Sequence, residues 1–463
     1  MTRAAVVLAA GKGTRFTSDL AKVLHTVAGR SLLGWVLSAL RPMELDRIVV
    51  VVGHQGDQVT DEANRVAGHT VVTVTQTEQR GTGHALRTAF EAGALDGIDS
   101  VLVVPGDAPM VAGAPLAAMF DAQQGNAAAM MTTVLDDPTG YGRIVRDDTS
   151  AVQRVVEEGD ATPDERTLRE VNVSMYVFDA PAAGRELAHL DTDNAQGEEY
   201  LTDIVERLVG AGVAAVEAPP HSVRGVNDRE QLAHAGGVLR GAMLSQLMRD
   251  GVTIVDPATT YVGADCTVAP DAVLLPATHL EGATHIAERA VIGPSTRLVD
   301  TTVAADAAVT FTVALSASIG PGAQVGPFAY LRPDAQLAER SKVGAFVEVK
   351  QSVVGPGSKV PHLSYIGNAV IGSDTNIGAA TVTVNYDGQR KHQTTIGDRV
   401  RIGADTMLIA PIKVGDDAYT GAGSVVTVDV PAGALAVERS PQRTIEGYAD
   451  RKRGAGQPSR HER

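Results

Sequence analysis

Between Ile396 and Val426 the chain repeats in sixes: Ile396, Ile402, Leu408, Val414, Thr420 and Val426 stand six residues apart. Four residues after each of the first five stands a second small or branched side chain, at Val400, Thr406, Ile412, Ala418 and Ser424. Two inward positions separated by two residues make one face of a strand. A period of six means that each short strand ends in a tight bend and the next repeats it, so the chain coils. Gly397, Gly403, Gly415 and Gly421 are expected to supply the bends, having no Cβ to oppose positive φ. One coil cannot bury its inner face, whereas stacked coils can. The expected fold of this half is therefore a parallel β-helix of hexapeptides.

Similar hexads run back to Gly251, through Val262-Gly263, Ile292-Gly293, Val325-Gly326 and Val354-Gly355. The phase breaks at about 298–318 and again at 379–395, where loops are expected to leave the coil. Only 4% of the residues are aromatic and 48 are Gly, which suits a narrow core and many turns.

The first half has a different rhythm. Ala4-Ala10, Arg47-Val52, Val71-Thr75 and Val101-Val104 are apolar runs, separated by helical stretches such as Leu32-Leu40 and His84-Ala94. That alternation predicts an α/β, Rossmann-like domain with a mostly parallel sheet. The expected boundaries are 1–227 for this domain, 228–250 for a helical linker, 251–445 for the β-helix and 446–463 for a disordered basic tail. The net charge of −15 argues against a nucleic-acid or anionic-membrane partner. A single cysteine, Cys266, permits no intrachain disulfide, and the N-terminus opens without a signal-peptide pattern, so a cytoplasmic location is expected. No apolar run approaches the ~20 residues of a membrane span.

Ligands of parallel sheets lie at the carboxyl ends of the strands. There the chain carries Gly11-Lys12-Gly13-Thr14-Arg15, then Lys22, and Gly106-Asp107. Backbone N–H groups of a Gly-rich turn, with Arg15 and Lys22 nearby, suit phosphate, and Asp107 suits Mg²⁺. A tight strand–helix turn and a turn-capping Asp would use the same residues. In the β-helix the polar residues Arg332, Lys350, His362, Tyr365, Asn385 and Tyr386 interrupt the hexads. His362 could take a proton from an amine near neutral pH, and Arg332 and Lys350 suit a phosphorylated substrate. A lone His is also commonly structural.

Leu8-Ala9-Ala10-Gly11-Lys12-Gly13-Thr14-Arg15 with Lys22-Val23-Leu24-His25 resembles the sugar-nucleotidyltransferase signature. Arg80-Gly81-Thr82-Gly83, Gly140-Tyr141-Gly142-Arg143, Glu199-Tyr200-Leu201-Thr202-Asp203 and Gly225-Val226-Asn227 follow in order, as do His362-Leu363-Ser364-Tyr365 and Asn385-Tyr386-Asp387-Gly388. Over residues 3–448 the chain is similar to the family of bifunctional N-acetylglucosamine-1-phosphate uridyltransferases / glucosamine-1-phosphate N-acetyltransferases. The resemblance implies a left-handed β-helix, a homotrimer and four small-molecule substrates: UTP, N-acetylglucosamine 1-phosphate, glucosamine 1-phosphate and acetyl-CoA.

It also implies roles. Leu8, Ala9, Ala10, Gly11, Arg15 and Lys22 would line the nucleotide and its phosphates, with Gly106 beside them. Gln76, Gly81 and Thr82 would read uracil. Asp107 and Asn227 would hold Mg²⁺, and Gly142, Glu157 and Asn172 would touch the sugar. His362 would be the general base, with Arg332, Lys350, Tyr365 and Asn376 on the amino sugar phosphate. Ala379, Asn385, Tyr386, Ala404, Ala422 and Arg439 would contact acetyl-CoA. The sequence departs from the family at Ala404, where Ser is usual, at Ser174 and Ala380, where Gly is usual, and at Phe16, where Met is usual. The rival expectations are a single-activity sugar-nucleotide pyrophosphorylase whose β-helix is structural, and a non-catalytic scaffold.

Overall fold

The computed structural model describes residues 1–67, 71–222 and 224–454. It divides into two compact units, Met1–Gln246 with Tyr261–Asp265, and Leu247–Thr260 with the residues from Cys266 onward.

The first unit is built on one nine-stranded sheet. We number its strands β1 (Arg3–Ala9), β2 (Arg47–Val52), β3 (Val71–Thr75), β4 (Ser100–Pro105), β5 (Ala128–Val134), β6 (Arg143–Arg146), β7 (Val152–Val156), β8 (Glu170–Asp179) and β9 (Val213–Glu217). The main path runs β9-β5-β8-β4-β1-β2-β3, parallel except at β8. Alternate residues of β1 face opposite cores. Ala4 and Val6 join the helices Thr82–Glu91, Ala180–Leu187 and Thr202–Leu208, while Ala5, Val7 and Ala9 join Leu32–Leu40, Gly56–Ala67 and Gly113–Gln123. Both faces are covered, which is why these strands read as continuous apolar runs.

The helix Arg229–Arg249 is not a bare connector. Ala235 is fully buried in a small core with Phe16, Val27, Leu32 and Val226. Its entry is capped twice: Asp228 Oδ1 accepts from Gln231 N–H at 2.8 Å, and Gln231 Oε1 accepts from Asn227 N–H at 2.8 Å. The Asn227 side chain is left free for the cleft.

The second unit is a left-handed β-helix of three parallel sheets of 11, 10 and 9 short strands. Every inward position of the 396–426 repeat is buried, from Val400 at 0% exposure to Thr420 and Val426 at 5%. Three expectations need correction. First, Gly397, Gly403, Gly415 and Gly421 do not adopt positive φ; that conformation falls to Arg399, Asp405 and Asp417 at the corners. The glycines are required by close stacking: a Cβ on Gly403 would stand 2.6 Å from Ala422 N, and one on Gly415 2.6 Å from Ala432 N. Second, no loop leaves the coil at 298–318. Val291 pairs with Ala308 and Ala308 with Gln324, so coils there advance by 17 and 16 residues instead of 18, and a trimmed corner shifts the phase. The second break is an excursion: Ala369 pairs with Thr394, and the inserted residues form a hairpin closed by Tyr386 opposite Lys391. Third, the basic tail opens with an exposed helix, Tyr448–Gly454, supported by an Asp450–Arg453 pair one turn apart; residues 455–463 lie outside the described residues.

Among the described residues no helix is long and apolar enough to cross a membrane.

Candidate functional site

Two separate constellations emerge, one in each unit. In the first, the segments after β1, β3, β4, β5, β7, β8 and β9, with part of β8 itself, enclose a cleft of about 550 Å³. Every nucleotide- and sugar-binding residue expected from the sequence lines it except Gly106, which underlies the wall by donating its N–H to Leu8 O at 2.9 Å. A larger open groove of about 810 Å³ beside β3 contains none of them.

Gly13 lets the loop after β1 curl over Lys22: its φ is 64°, and a Cβ there would meet Lys22 Cβ at 2.5 Å. Lys22 Nζ pairs with Asp107 Oδ2 and donates to Asn227 Oδ1 at 3.2 Å. A carboxylate and an amide oxygen thus converge on one cation, the donor set that a hard divalent ion prefers. Arg15 stands exposed at the cleft's rim.

Gln76 is 5% exposed and donates from Nε2 to Gly81 O at 3.2 Å, fixing the turn before the helix Thr82–Glu91. On the far wall Asn172 donates to Tyr176 Oη at 2.7 Å, and its Oδ1 accepts from Ser174 N–H at 3.1 Å. Ser174 occupies a left-handed φ of 58° inside a β-bulge, which accounts for the glycine usual at that position. Burial pushes the Glu157 carboxyl above its ordinary range, opposed by a hydrogen bond from Thr202 Oγ1 at 3.2 Å. Burial likewise pushes the Tyr176 phenol up. Sequence reasoning assigned no role to Arg143, which is 2% exposed, bonds Tyr141 O and pairs with Glu158 at 2.7 Å, anchoring the Gly140–Gly142 turn.

In the β-helix, one column of corner residues holds His362 and three of the alanines expected from the sequence, Ala379, Ala404 and Ala422. Backbone N–H groups of Leu363, Ala380, Asp405 and Gly423 bond to the carbonyls of Ala345, His362, Ala379 and Ala404 in successive coils. Ala345, His362, Ala379, Ala404 and Ala422 therefore stack along one edge, with Arg439 Nη1 donating to Ala422 O at 2.9 Å. The His362 side chain is exposed, and its ring has no hydrogen-bond partner among the described residues. The three alanines stacked after it place no long side chain on this edge.

On the adjoining sheet, Tyr330 pairs with Glu348 and Glu348 with Tyr365, which brings Arg332, Lys350 and Tyr365 to one face. Tyr365 Oη and Asn385 Nδ2 meet over Gly367, where a Cβ would lie 2.5 Å and 2.7 Å from them. Arg332 is held by Glu348 at 2.7 Å. The Lys391 ammonium, from the hairpin, pushes the Lys350 ammonium below its ordinary range. Lys391 adds positive charge beside Arg332 and Lys350, and it had no signal in the sequence because the hairpin alone delivers it. Asn376 sits on the first sheet, in register with Lys359 and Arg401, and not among the Arg332 group. Tyr386 is 58% exposed on a hairpin held by Asp387 and His392 at 2.6 Å.

Residues 5–173 match the MobA-like NTP transferase domain, and residues 313–417 match the GMPPB C-terminal domain. The chain is 54% identical over 458 residues to the bifunctional protein GlmU of Thermobifida fusca, covering 97% of this chain and 94% of that protein. It is 49% identical over 458 residues to the GlmU proteins of Streptomyces avermitilis and Mycolicibacterium vanbaalenii, covering 97% of this chain and 94% and 93% of theirs.

Proposed function

The chain belongs to the family of bifunctional GlmU proteins, and from that premise we propose how its two sites divide the work. The protein is a uridyltransferase and an acetyltransferase that together produce UDP-N-acetylglucosamine, acting on small-molecule substrates. The observation that supports the division is that each unit holds its own polar constellation, the cleft around Lys22 and Asp107 in the first and the His362 edge with the Arg332 face in the second.

In the first site the sugar phosphate attacks the α-phosphorus of UTP and pyrophosphate leaves. The nucleophile is already an anion, so the site needs no base; it needs alignment and charge neutralisation. Asp107 and Asn227 would hold Mg²⁺, a reading supported by the cation already seated between their oxygens. When bound, the metal supplies positive charge to the phosphates. Leu8, Ala9, Ala10 and Gly11 flank the nucleotide, Arg15 and Lys22 meet the phosphates, Gln76, Gly81 and Thr82 read uracil, and Gly142, Glu157 and Asn172 hold the sugar.

In the second site His362 accepts a proton from the amine of glucosamine 1-phosphate, and the freed amine attacks the thioester carbonyl of acetyl-CoA, expelling CoA. Arg332, Lys350 and Lys391 face the phosphate, with Tyr365 on the sugar. Ala379, Ala404 and Ala422 give acetyl-CoA a smooth groove along the edge below His362, reached by Asn385, Tyr386 and Arg439. Asn376 lies one face away, so its contact is to a substrate arm that turns the corner. The β-helix works as a trimer with this edge between copies, and the protein works in the cytoplasm.

His362→Ala should reduce CoA release at least about a hundredfold while pyrophosphate release is unchanged. Asp107→Ala should do the reverse by a similar factor. Loss of both activities from either change, in a folded protein, overturns the two-site reading. A single-activity pyrophosphorylase would show no CoA release in the wild type.

A further inference from the structure

The base-reading and sugar-holding walls of the first cleft meet through one short strap, residues 198–202. Glu199 is the only member of it that points away from the cleft into the protein while its neighbours Glu198, Tyr200 and Thr202 line the cleft. The strap is sewn to the turn before the helix Thr82–Glu91 by three hydrogen bonds. Glu199 N–H donates to Arg80 O at 2.7 Å, Gly83 N–H to Glu199 O at 2.9 Å, and Leu201 N–H to Thr82 Oγ1 at 3.2 Å. The approach is so close that a Cβ on Gly81 would lie 2.5 Å from Glu199 O.

The Glu199 carboxylate then locks the seam from behind. Its side chain is 6% exposed, Arg87 Nη2 donates to Oε1 at 2.8 Å, and Arg80 Nη2 lies 3.1 Å away. Arg80 opens the turn and Arg87 lies inside the helix that follows it, so one carboxylate ties both ends of the segment that presents Gly81 and Thr82. At the strap's other end, Thr202 donates to Glu157 on the sugar side.

We propose that Glu199 is a positioning residue that couples nucleobase recognition to sugar recognition by clamping the strap 198–202 to the turn 80–83. The proposal rests on the reading that Gln76, Gly81 and Thr82 meet uracil and that Glu157 and Asn172 meet the sugar. A loosened clamp would blur both subsites at once, although Glu199 touches neither ligand. An ion pair that served stability alone would lower the unfolding midpoint and leave substrate discrimination as it was.

The test is steady-state pyrophosphate release by the full-length protein. In Glu199→Gln, KM should rise about tenfold for UTP and for N-acetylglucosamine 1-phosphate, with kcat changed less than about threefold. The preference for UTP over CTP should fall, and Glu199→Asp should restore part of each effect. Either KM staying within about twofold of wild type in a folded protein overturns the proposal. If Glu199→Gln does not fold, Arg80→Met decides: Arg80 is half-exposed and its removal leaves the Arg87 pair in place. A smaller rise in both KM values upholds the clamp, and unchanged values overturn it. The wild type tests the underlying reading separately. Preference for UTP over CTP with unchanged variants defeats the clamp alone, whereas a wild type without that preference defeats the uracil assignment and the proposal with it.

Discussion

Asp203 shows how a single side chain can work against its own fold. It opens the helix Thr202–Leu208, and burial, then the nearby Asp191 carboxylate, pushes its pKa from 3.8 to about 6. A carboxyl whose folded pKa is raised favours the folded state in its neutral form. That contribution is complete below the unfolded value of 3.8 and is lost as pH rises through about 6. Trp35 is the one tryptophan in the chain and lies in the first unit, so its emission reports that unit's unfolding. Asp203→Asn should leave the urea midpoint near wild type at about pH 4 and raise it increasingly toward about pH 7. A gap between variant and wild type that is the same at both ends would contradict this. The sequence made the first-cleft residues legible because most sit in short contiguous motifs, Leu8 to Arg15 above all. It hid Glu199's work, since the partners Arg80 and Arg87 are more than a hundred residues away. Ser174 and Ala380 were legible as departures, but only their φ values of 58° and 60° show that both carry a conformation glycine holds at no cost.

The coil is the element whose reading needed most repair, and the reason is physical. Periodicity reports which side chains face inward; it does not report how closely one backbone lies on the next. A trimmed corner leaves the inward pattern intact while shifting its phase, so residues 298–318 looked like a loop although their strands continue, as Val303 pairing with Ile319 shows. Glycine was read as a hinge when most of its service here is as a spacer. Gly344 is the sharpest example: a Cβ there would lie 2.0 Å from Pro361 O in the next coil, one residue from His362. Backbone cannot yield as a flexible side chain would, so Gly344→Ala should destabilise the second unit by about 3 kcal/mol. It should displace the His362 corner with it. Circular dichroism melts should show the loss, acetyl transfer should fall, and pyrophosphate release should persist. Unchanged melting would mean that the stacking is looser than the coil spacing implies.

At the scale of the whole molecule the open question is what covers the edge that carries His362. Phe311, Phe328, Phe346 and Leu363 occupy successive corners and are 40%, 54%, 60% and 60% exposed. The rings touch in series, Phe311 and Phe328 tilted with centroids 5.4 Å apart, Phe328 and Phe346 stacked at 5.2 Å. Such a continuous apolar ladder on the outside of a β-helix marks an interaction surface, and it ends on the residue beside His362. In the proposed trimer each ladder meets the neighbouring copy, and the rim of the acyl-transfer groove is completed there. A charge placed in the ladder would have to be buried on assembly, at a cost of several kcal/mol in each of three equivalent contacts. Phe328→Glu should therefore reduce the mass in solution from three times 48.1 kDa to a single chain, judged by light scattering. The coil itself should survive, because the Phe328 side chain points outward and no inward position changes. CoA release should fall at least about tenfold, while pyrophosphate release, confined to the first unit, should hold at the wild-type rate. A wild type that runs as a single chain with full acetyl transfer would show that the groove is complete within one copy, and the exposed ladder would then need a different occupant.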